Sequence, residues 1–277
     1  MTNEAAWLED RGIVGVSGED AASFLQGLLT NDVERLAPGE ARYAALLSPQ
    51  GKILFDMIVV RADRDGGAAF LIDCAAAQAA DLARRLGFYK LRARVAIADE
   101  SAERGVVALW GAPAQAPAGA VVTADPRDPR LGLRAICSRA EAAAIGSAHL
   151  AGYEALRIDA VVPRGGVDFA YGDAFPHDVN LDLLHGVDFH KGCYVGQEVV
   201  SRMKHRGTGR KRIARVRFGA DAPPAGTPVV DGDLPVGALG SSSGREALAL
   251  LRLDRAEEAK AAGRTLSAGG APLALAD

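Results

Sequence analysis

The chain has 277 residues, 49% of them hydrophobic and 24% charged. That is the composition of an ordinary globular protein, long enough to bury most of its surface without a disulfide or structural metal. Thirty-two basic against thirty-five acidic side chains leave a net charge of −3, so the whole-molecule field argues for neither nucleic acid nor membrane as a partner. The three cysteines, Cys74, Cys137 and Cys193, lie 63 and 56 residues apart with no CxxC pair, which argues against a disulfide framework and a local zinc site.

Met1 to Asp10 carries Glu4, Glu9 and Asp10 and no base, unlike a secretory leader. Apolar stretches are short: Ile53 to Val60 is interrupted by Asp56 and ends at Arg61, too soon for a spanning helix. The expectation is a cytoplasmic protein without a membrane partner. Ser17-Gly18-Glu19-Asp20 reads as a helix start with Ser17 as cap, followed by Phe24, Leu25, Leu28 and Leu29 on one face. Tyr43 to Leu47 and Lys52 to Arg61 read as a hairpin turning at Ser48-Pro49-Gln50-Gly51. Its second strand is apolar on both faces, as a central strand is, with Asp56 as its one internal charge.

Ala75 to Leu86 predicts a helix closed by Gly87, then strands from Leu91 to Ile97 and from Val106 to Trp110. Pro113, Pro117, Pro126 and Pro129 mark a loop, followed by a strand over Leu131 to Cys137 and a helix over Arg139 to Ala151. Tyr153, Leu156, Arg157 and Ala160 have helical spacing, stopped by Pro163, Gly165 and Gly166. Asp178 to Leu184 is a short helix at most, and Val199, Val200 and Met203 form a last helical face. From Arg206 onward short apolar runs alternate with Pro and Gly, the texture of a small β-barrel or sandwich. The domain boundary is placed near 205–210.

Lys191-Gly192-Cys193-Tyr194-Val195-Gly196-Gln197-Glu198 is poor core material and reads as a turn presenting Cys193 at a helix start near Val195. The helix dipoles and Lys191 would favour thiolate there; the plainer reading is a buried, inert cysteine, the expectation for Cys74 and Cys137. His185, His190 and His205 are near in sequence, but nothing fixes an imidazole beside the sulfur. Asp56 reads either as a strand-end cap or as a carboxylate lining a ligand cavity. Arg157 and Asp159, two apart, point to different helix faces; the plain reading of Tyr153, Arg157 and Asp159 is a helix with surface ion pairs. Arg202 to Arg217 holds eight Lys or Arg and no acid; it reads as two solvated faces rather than a phosphate stripe, since no aromatic accompanies it. Gly207-Thr208-Gly209-Arg210-Lys211 lacks phosphate-loop spacing.

Taken together, these segments resemble the YgfZ-type folate-binding proteins, relatives of the glycine-cleavage T protein (aminomethyltransferase). The stretch from Lys191 to Glu198 is similar to that family's K-G-C-Y-x-G-Q-E box. Phe24 to Asp32, the hairpin from Tyr43 to Val60, Leu156-Arg157-Ile158-Asp159 and Pro235 to Leu253 support it. The resemblance implies an α+β fold: a folate-binding α/β region of two intertwined subdomains over 1–205 and a small β-barrel over 206–277. It implies tetrahydrofolate or a derivative as cofactor, a transient iron–sulfur cluster and iron–sulfur client or assembly proteins as partners. Radical-SAM enzymes that modify tRNA are implied among the clients.

Carried over by position, Asp159 falls where T proteins place a glutamate that reads the pterin, Asp56 near the folate's reactive nitrogens, and Tyr153 against the folate, with Arg157 in the same group. Arg11 stands where some relatives have tryptophan, and Phe175-Pro176-His177-Asp178 departs from the usual proline–glutamine or proline–glutamate stretch. The leading function is a folate-binding factor for iron–sulfur cluster assembly or repair. Cys193 would be its reactive residue, Lys191 would supply positive charge, and Gln197 and Glu198 would fix the turn. A folate-dependent aminomethyltransferase or demethylase is the alternative, against which the cysteine box counts. An RNA-binding role for Arg202 to Arg217 is the third.

Overall fold

The apolar runs Ile53 to Val60 and Val106 to Trp110 become strands, and the alanine-bearing stretches 79–90 and 139–145 become helices. The computed structural model describes residues 3–63, 68–111, 115–206 and 209–276. In chain order it places β1 (Asn3–Trp7), β2 (Arg11–Ser17), α1 (Ala21–Gln26), β3 (Ala41–Leu47), β4 (Ile53–Arg61), β5 (Ala69–Ala75), α2 (Ala79–Lys90) and β6 (Ala96–Asp99). Next come β7 (Arg104–Gly111), β8 (Val121–Ala124), β9 (Leu133–Ser138), α3 (Arg139–Ile145), α4 (Leu150–Asp159) and α5 (Gln197–Arg206). The last group is β10 (Lys211–Phe218), β11 (Pro228–Asp231), β12 (Leu234–Ser243), β13 (Glu246–Arg252), α6 (Leu253–Ala261), β14 (Leu266–Ala268) and β15 (Ala271–Leu275).

These strands form a five-stranded sheet, β3-β4-β5-β2-β6, a four-stranded sheet, β1-β7-β9-β8, and a closed barrel, β10-β13-β12-β11-β14-β15. The fold is the expected α+β type, with a closed six-stranded barrel at its C-terminal end. Closure leaves the barrel without an unpaired edge.

β4 is central, between β3 and β5, and is buried on both faces, as its apolar pattern predicts. Ile58 and Val60 join a core shared with β1, β7, α4 and the barrel residues Ile213 and Leu248. Met57 and Val59 join the core under α1 and α2. Each such side chain contributes roughly 1.5–3 kcal/mol on burial, so β4 ties two cores together. Hydrogen bonds join the barrel to the rest: Asp168 accepts from the Ser241 N–H at 2.6 Å, and Asn180 Nδ2 donates to the Ile213 carbonyl at 2.9 Å.

Several boundaries differ from the sequence reading. Ser17 does not cap a helix. It ends β2, paired with Ala69 and Ala96, and the carboxylate of Asp20 accepts from the Arg94 N–H at 2.7 Å. Ala75 ends β5, and α2 runs through Gly87 to Lys90 because Leu82 and Leu86 anchor it to the core; Leu91, at φ 44°, ends it. The strand expected from Leu91 is confined to Ala96–Asp99. Gly146, at φ 69°, separates α3 from α4 where one helix was expected. The proline-rich stretch hides β8, a four-residue edge strand too short to show a period. The short helix expected from Asp178 is a 3-10 turn over Pro176–Val179. Pro113 of that stretch, and Gly207 and Thr208, lie outside the described residues.

Candidate functional site

The cysteine box is a loop held at three points. Lys191 is buried, and its ammonium donates to the carbonyls of Gln26 (2.8 Å), Leu29 (2.6 Å) and Asn31 (2.8 Å). These belong to the end of α1 and the turn after it, where carbonyls lack helical partners. Burial pushes the Lys191 pKa down to about 8. Tyr194 is also buried, with its ring 5.4 Å from the Lys191 ammonium, and burial pushes its phenol up to about 12.

The third point is Gly196, at φ 82°. A Cβ there would lie 2.6 Å from the Ser48 carbonyl oxygen and 3.2 Å from Gly51 Cα. Across the contact, a Cβ on Gly51 would lie 2.9 Å from Val199. Two glycines thus let the box backbone rest on the turn of the β3–β4 hairpin. Between the anchors Gly192 faces open space and Cys193 is exposed.

This geometry corrects the expected setting of the thiol. Helix α5 begins at Gln197 rather than near Val195, and the Lys191 ammonium is turned inward onto carbonyls. Lys191 is an anchor of the box, not a free cation beside the sulfur. Gln197 donates its backbone N–H to the Tyr194 carbonyl at 3.3 Å, holding the turn. Glu198 instead pairs along the helix with Arg202 at 2.6 Å. Cys74 and Cys137 are buried as expected, and burial pushes the Cys74 thiol up to about 12.

Sequence reasoning gave Thr30 and Asn31 no role of their own. Thr30 Oγ1 donates to the Gly186 carbonyl at 2.6 Å, and Asn31 Nδ2 donates to the carbonyls of Tyr43 (2.8 Å) and His185 (2.6 Å). They tie the segment before the box to the hairpin. Their place inside the matched stretch Phe24 to Asp32 was the available signal. A groove of about 740 Å³, lined in part by Arg42, Asp182, His185, Asp188, His190 and Lys204, ends one residue before the box. Among the described residues no hydrogen bond joins Cys193 to a histidine, and no group of three or more His, Cys, Asp or Glu is placed to hold a metal ion.

The residues expected around a pterin separate into two places. Asp56 stands within β4, buried, and accepts from Tyr43 (3.0 Å) and Tyr171 (2.6 Å). Tyr153 is buried, and its hydroxyl accepts from Arg127 (3.2 Å) and Arg134 (3.0 Å). Arg157 is buried and donates to Asp168 (3.1 Å), Glu154 (2.7 Å) and the Val162 carbonyl (2.7 Å). These three line a shared cavity with Arg11, Arg127 and Arg134. Asp159 does not join them. It ends α4 with its side chain 54% exposed, paired with Arg130 at 3.1 Å and with Arg215.

The cavity measures about 20 Å³, enough for roughly one water molecule. Asp73 accepts from Arg11 Nε at 2.6 Å and Arg134 Nε at 2.8 Å. Asp125 accepts from Arg127 (2.7 Å) and Arg134 (3.2 Å). Burial raises both carboxyls, but the arginines outweigh it: Asp73 lies below the ordinary carboxylate range and Asp125 is held at about 2. Arg11, at the position of a tryptophan in some relatives, is thus part of an ion network. As arranged, these residues do not fit a pterin. The basic stripe is engaged within the protein as well: Arg212 pairs with Asp182, Arg217 with Glu246, and Lys204 lies over the Phe189 ring.

Comparison with known proteins places the chain. Residues 9–136 match the GCVT N-terminal domain, and residues 210–277 match the CAF17 C-terminal beta-barrel domain. The human mitochondrial iron–sulfur cluster assembly factor IBA57 is 32% identical, over 90% of this chain and 79% of its own length. The chain belongs to the IBA57 family. The Mycosarcoma maydis IBA57 homologue, also mitochondrial, is 38% identical over 84% of this chain. The chain spans 62% of that relative's length and 52% of the Neurospora crassa relative's. The glycine cleavage aminomethyltransferase T from Bartonella henselae shares the fold, with a TM-score of 0.77 at 18% identity over 99% of this chain and 85% of its own.

The T-protein superfamily read from the sequence stands, with IBA57 relatives rather than YgfZ-type proteins. The cytoplasmic expectation is overturned, because those IBA57 relatives are mitochondrial proteins.

Proposed function

We propose that this protein is an iron–sulfur cluster assembly factor that works through Cys193. The observation that carries this reading is the exposed thiol on a loop anchored on both sides by buried groups, while the other two cysteines are buried. A thiolate is a soft ligand suited to iron–sulfur clusters. Losing its proton, Cys193 supplies one such ligand. A cluster needs several, so the others come from a partner protein that meets this chain at the box. Lys191, Tyr194 and Gly196 position the loop, and Gln197 continues it into α5. The cluster is cargo passed between proteins.

The resemblance further supports radical-SAM enzymes that modify tRNA as clients. Folate and one-carbon transfer are not part of this reading, since the central residues do not fit a pterin. The test uses a cell lacking its own copy of the protein, complemented with the parent chain or with Cys193→Ser. The parent should restore iron–sulfur enzyme activity and modified tRNA nucleosides, and the variant should not. Equal restoration by both would remove the thiol from the mechanism.

A further inference from the structure

Asp56 and Tyr153, which the resemblance places around a pterin, line one cavity with residues of both sheets, and this chain fills that place with its own side chains. Arg11 on β2 and Asp73 on β5 belong to the five-stranded sheet; Arg134 on β9 belongs to the four-stranded sheet. Arg134 crosses from one sheet to the other, reaching Asp73 at 2.6 Å. Asp125 and Arg127, which follow β8, extend the network to Tyr153 on α4. Three guanidinium groups, Arg11, Arg127 and Arg134, stand against three carboxylates, Asp56, Asp73 and Asp125.

Each of those carboxylates already accepts from two side chains, and the Tyr153 hydroxyl accepts from two arginines. A bicyclic pterin offers an amino group and a ring N–H that need free acceptors. Here they would compete with charge-assisted bonds between buried partners, which are among the strongest in a protein. Space argues the same way. A dry cavity that admits benzene is about 150 Å³, and the room beside Asp56 and Tyr153 is about 20 Å³. Asp159, at the position of the pterin-reading carboxylate, is on the surface with Arg130 and Arg215.

We infer that the centre of this fold is closed by the Arg11–Asp73–Arg134–Asp125–Arg127 network, which braces one sheet against the other and takes no folate. The inference is independent of the role of Cys193 and survives its failure.

The test titrates the full chain, without oxygen, with tetrahydrofolate and separately with its stable 5-formyl derivative, read by calorimetry. The expected result is no saturable binding up to about 1 mM, the concentration at which a bond of only ~4 kcal/mol is half occupied. Binding that persists in Asp56→Asn and Tyr153→Ala would lie elsewhere on the molecule and leave the centre closed. Binding that both substitutions abolish, in variants whose circular dichroism matches the parent, would overturn the inference. Should either variant fail to fold, a crystal of the parent soaked in 5-formyltetrahydrofolate decides. Pterin density beside Tyr153 overturns the inference, and an unchanged arginine network upholds it.

Discussion

Arg134→Met tests whether the central network holds the two sheets together. Methionine keeps much of the length of the side chain and removes the guanidinium. Asp73 then keeps only Arg11, and Asp125 and the Tyr153 hydroxyl keep only Arg127. Both carboxylates stay buried, with relative side-chain exposures of 1% and 0%. Removing one partner from a buried ion network typically costs about 3–5 kcal/mol, because the charge left behind cannot return to water. At roughly 2–4 °C per kcal/mol for a large domain, the midpoint should fall by about 6–20 °C.

Urea unfolding followed by circular dichroism at neutral pH measures the loss directly. Arg134→Lys should lie between parent and methionine variant, since one ammonium cannot fork across two carboxylates. The gap between parent and Arg134→Met should also close in acid. Asp125 has its pKa lowered to about 2 from an ordinary 3.8. Its contribution is therefore full above about pH 4 and is lost as pH falls towards 2. A loss under about 1 kcal/mol at neutral pH, the scale of an exposed pair, would refute the reasoning.

Three other expectations concern the box and its surroundings. Native protein treated with iodoacetamide should be modified at Cys193 alone by mass spectrometry, with Cys74 and Cys137 reacting only after unfolding; early labelling of Cys74 would contradict its burial. Gly196→Ala should cost about 1–2 kcal/mol for the left-handed backbone alone, with a further penalty from the approach to Ser48, and should speed amide exchange across 191–198; unchanged exchange would show that the hairpin contact does not hold the loop. His177 is buried with both ring nitrogens lacking a partner, beside Asp178, Asp182, Lys204 and Arg212, and burial lowers its pKa below the ordinary 6.5. The unfolded imidazole takes up a proton below pH 6.5 more readily than the folded one, so stability should drop as pH falls through that value. His177→Leu should flatten this part of the urea-midpoint profile between about pH 7 and pH 5.5, and an identical slope in both proteins would exclude His177 as its source.

The sequence carried the hairpin, the two-faced β4, the strand of β7 and the punctuated texture of the barrel, because each is a local pattern of apolar residues. It did not carry β8, whose four residues at a sheet edge show no period, or the true roles of Ser17 and Gly87. Those depend on what the strand ladder and the helix core demand of them. In the box, the presence of a presented cysteine was legible from its mixture of residue types. The inward turn of Lys191 was not, because its acceptors are carbonyls some 160 residues away in the chain, and carbonyls leave no mark on sequence. The same holds for the centre. Asp56 stood out as a lone charge in an apolar strand, but Asp73, Asp125, Arg127 and Arg134 become a network only when two sheets face each other. Asp159 was placed by position alone, and its partners Arg130 and Arg215 come from a loop and from the barrel.

The seating of Gly196 on Ser48 and Gly51 makes the reach of the sulfur depend on a reverse turn laid down far earlier in the chain. Lengthening that turn by a single residue, or giving Gly51 a side chain, would tilt the platform beneath Cys193 without touching the box itself. Under the role proposed for Cys193, loss of function can therefore begin in a segment distant in sequence from the thiol, and variants near residue 50 are expected to share the phenotype of variants near residue 193.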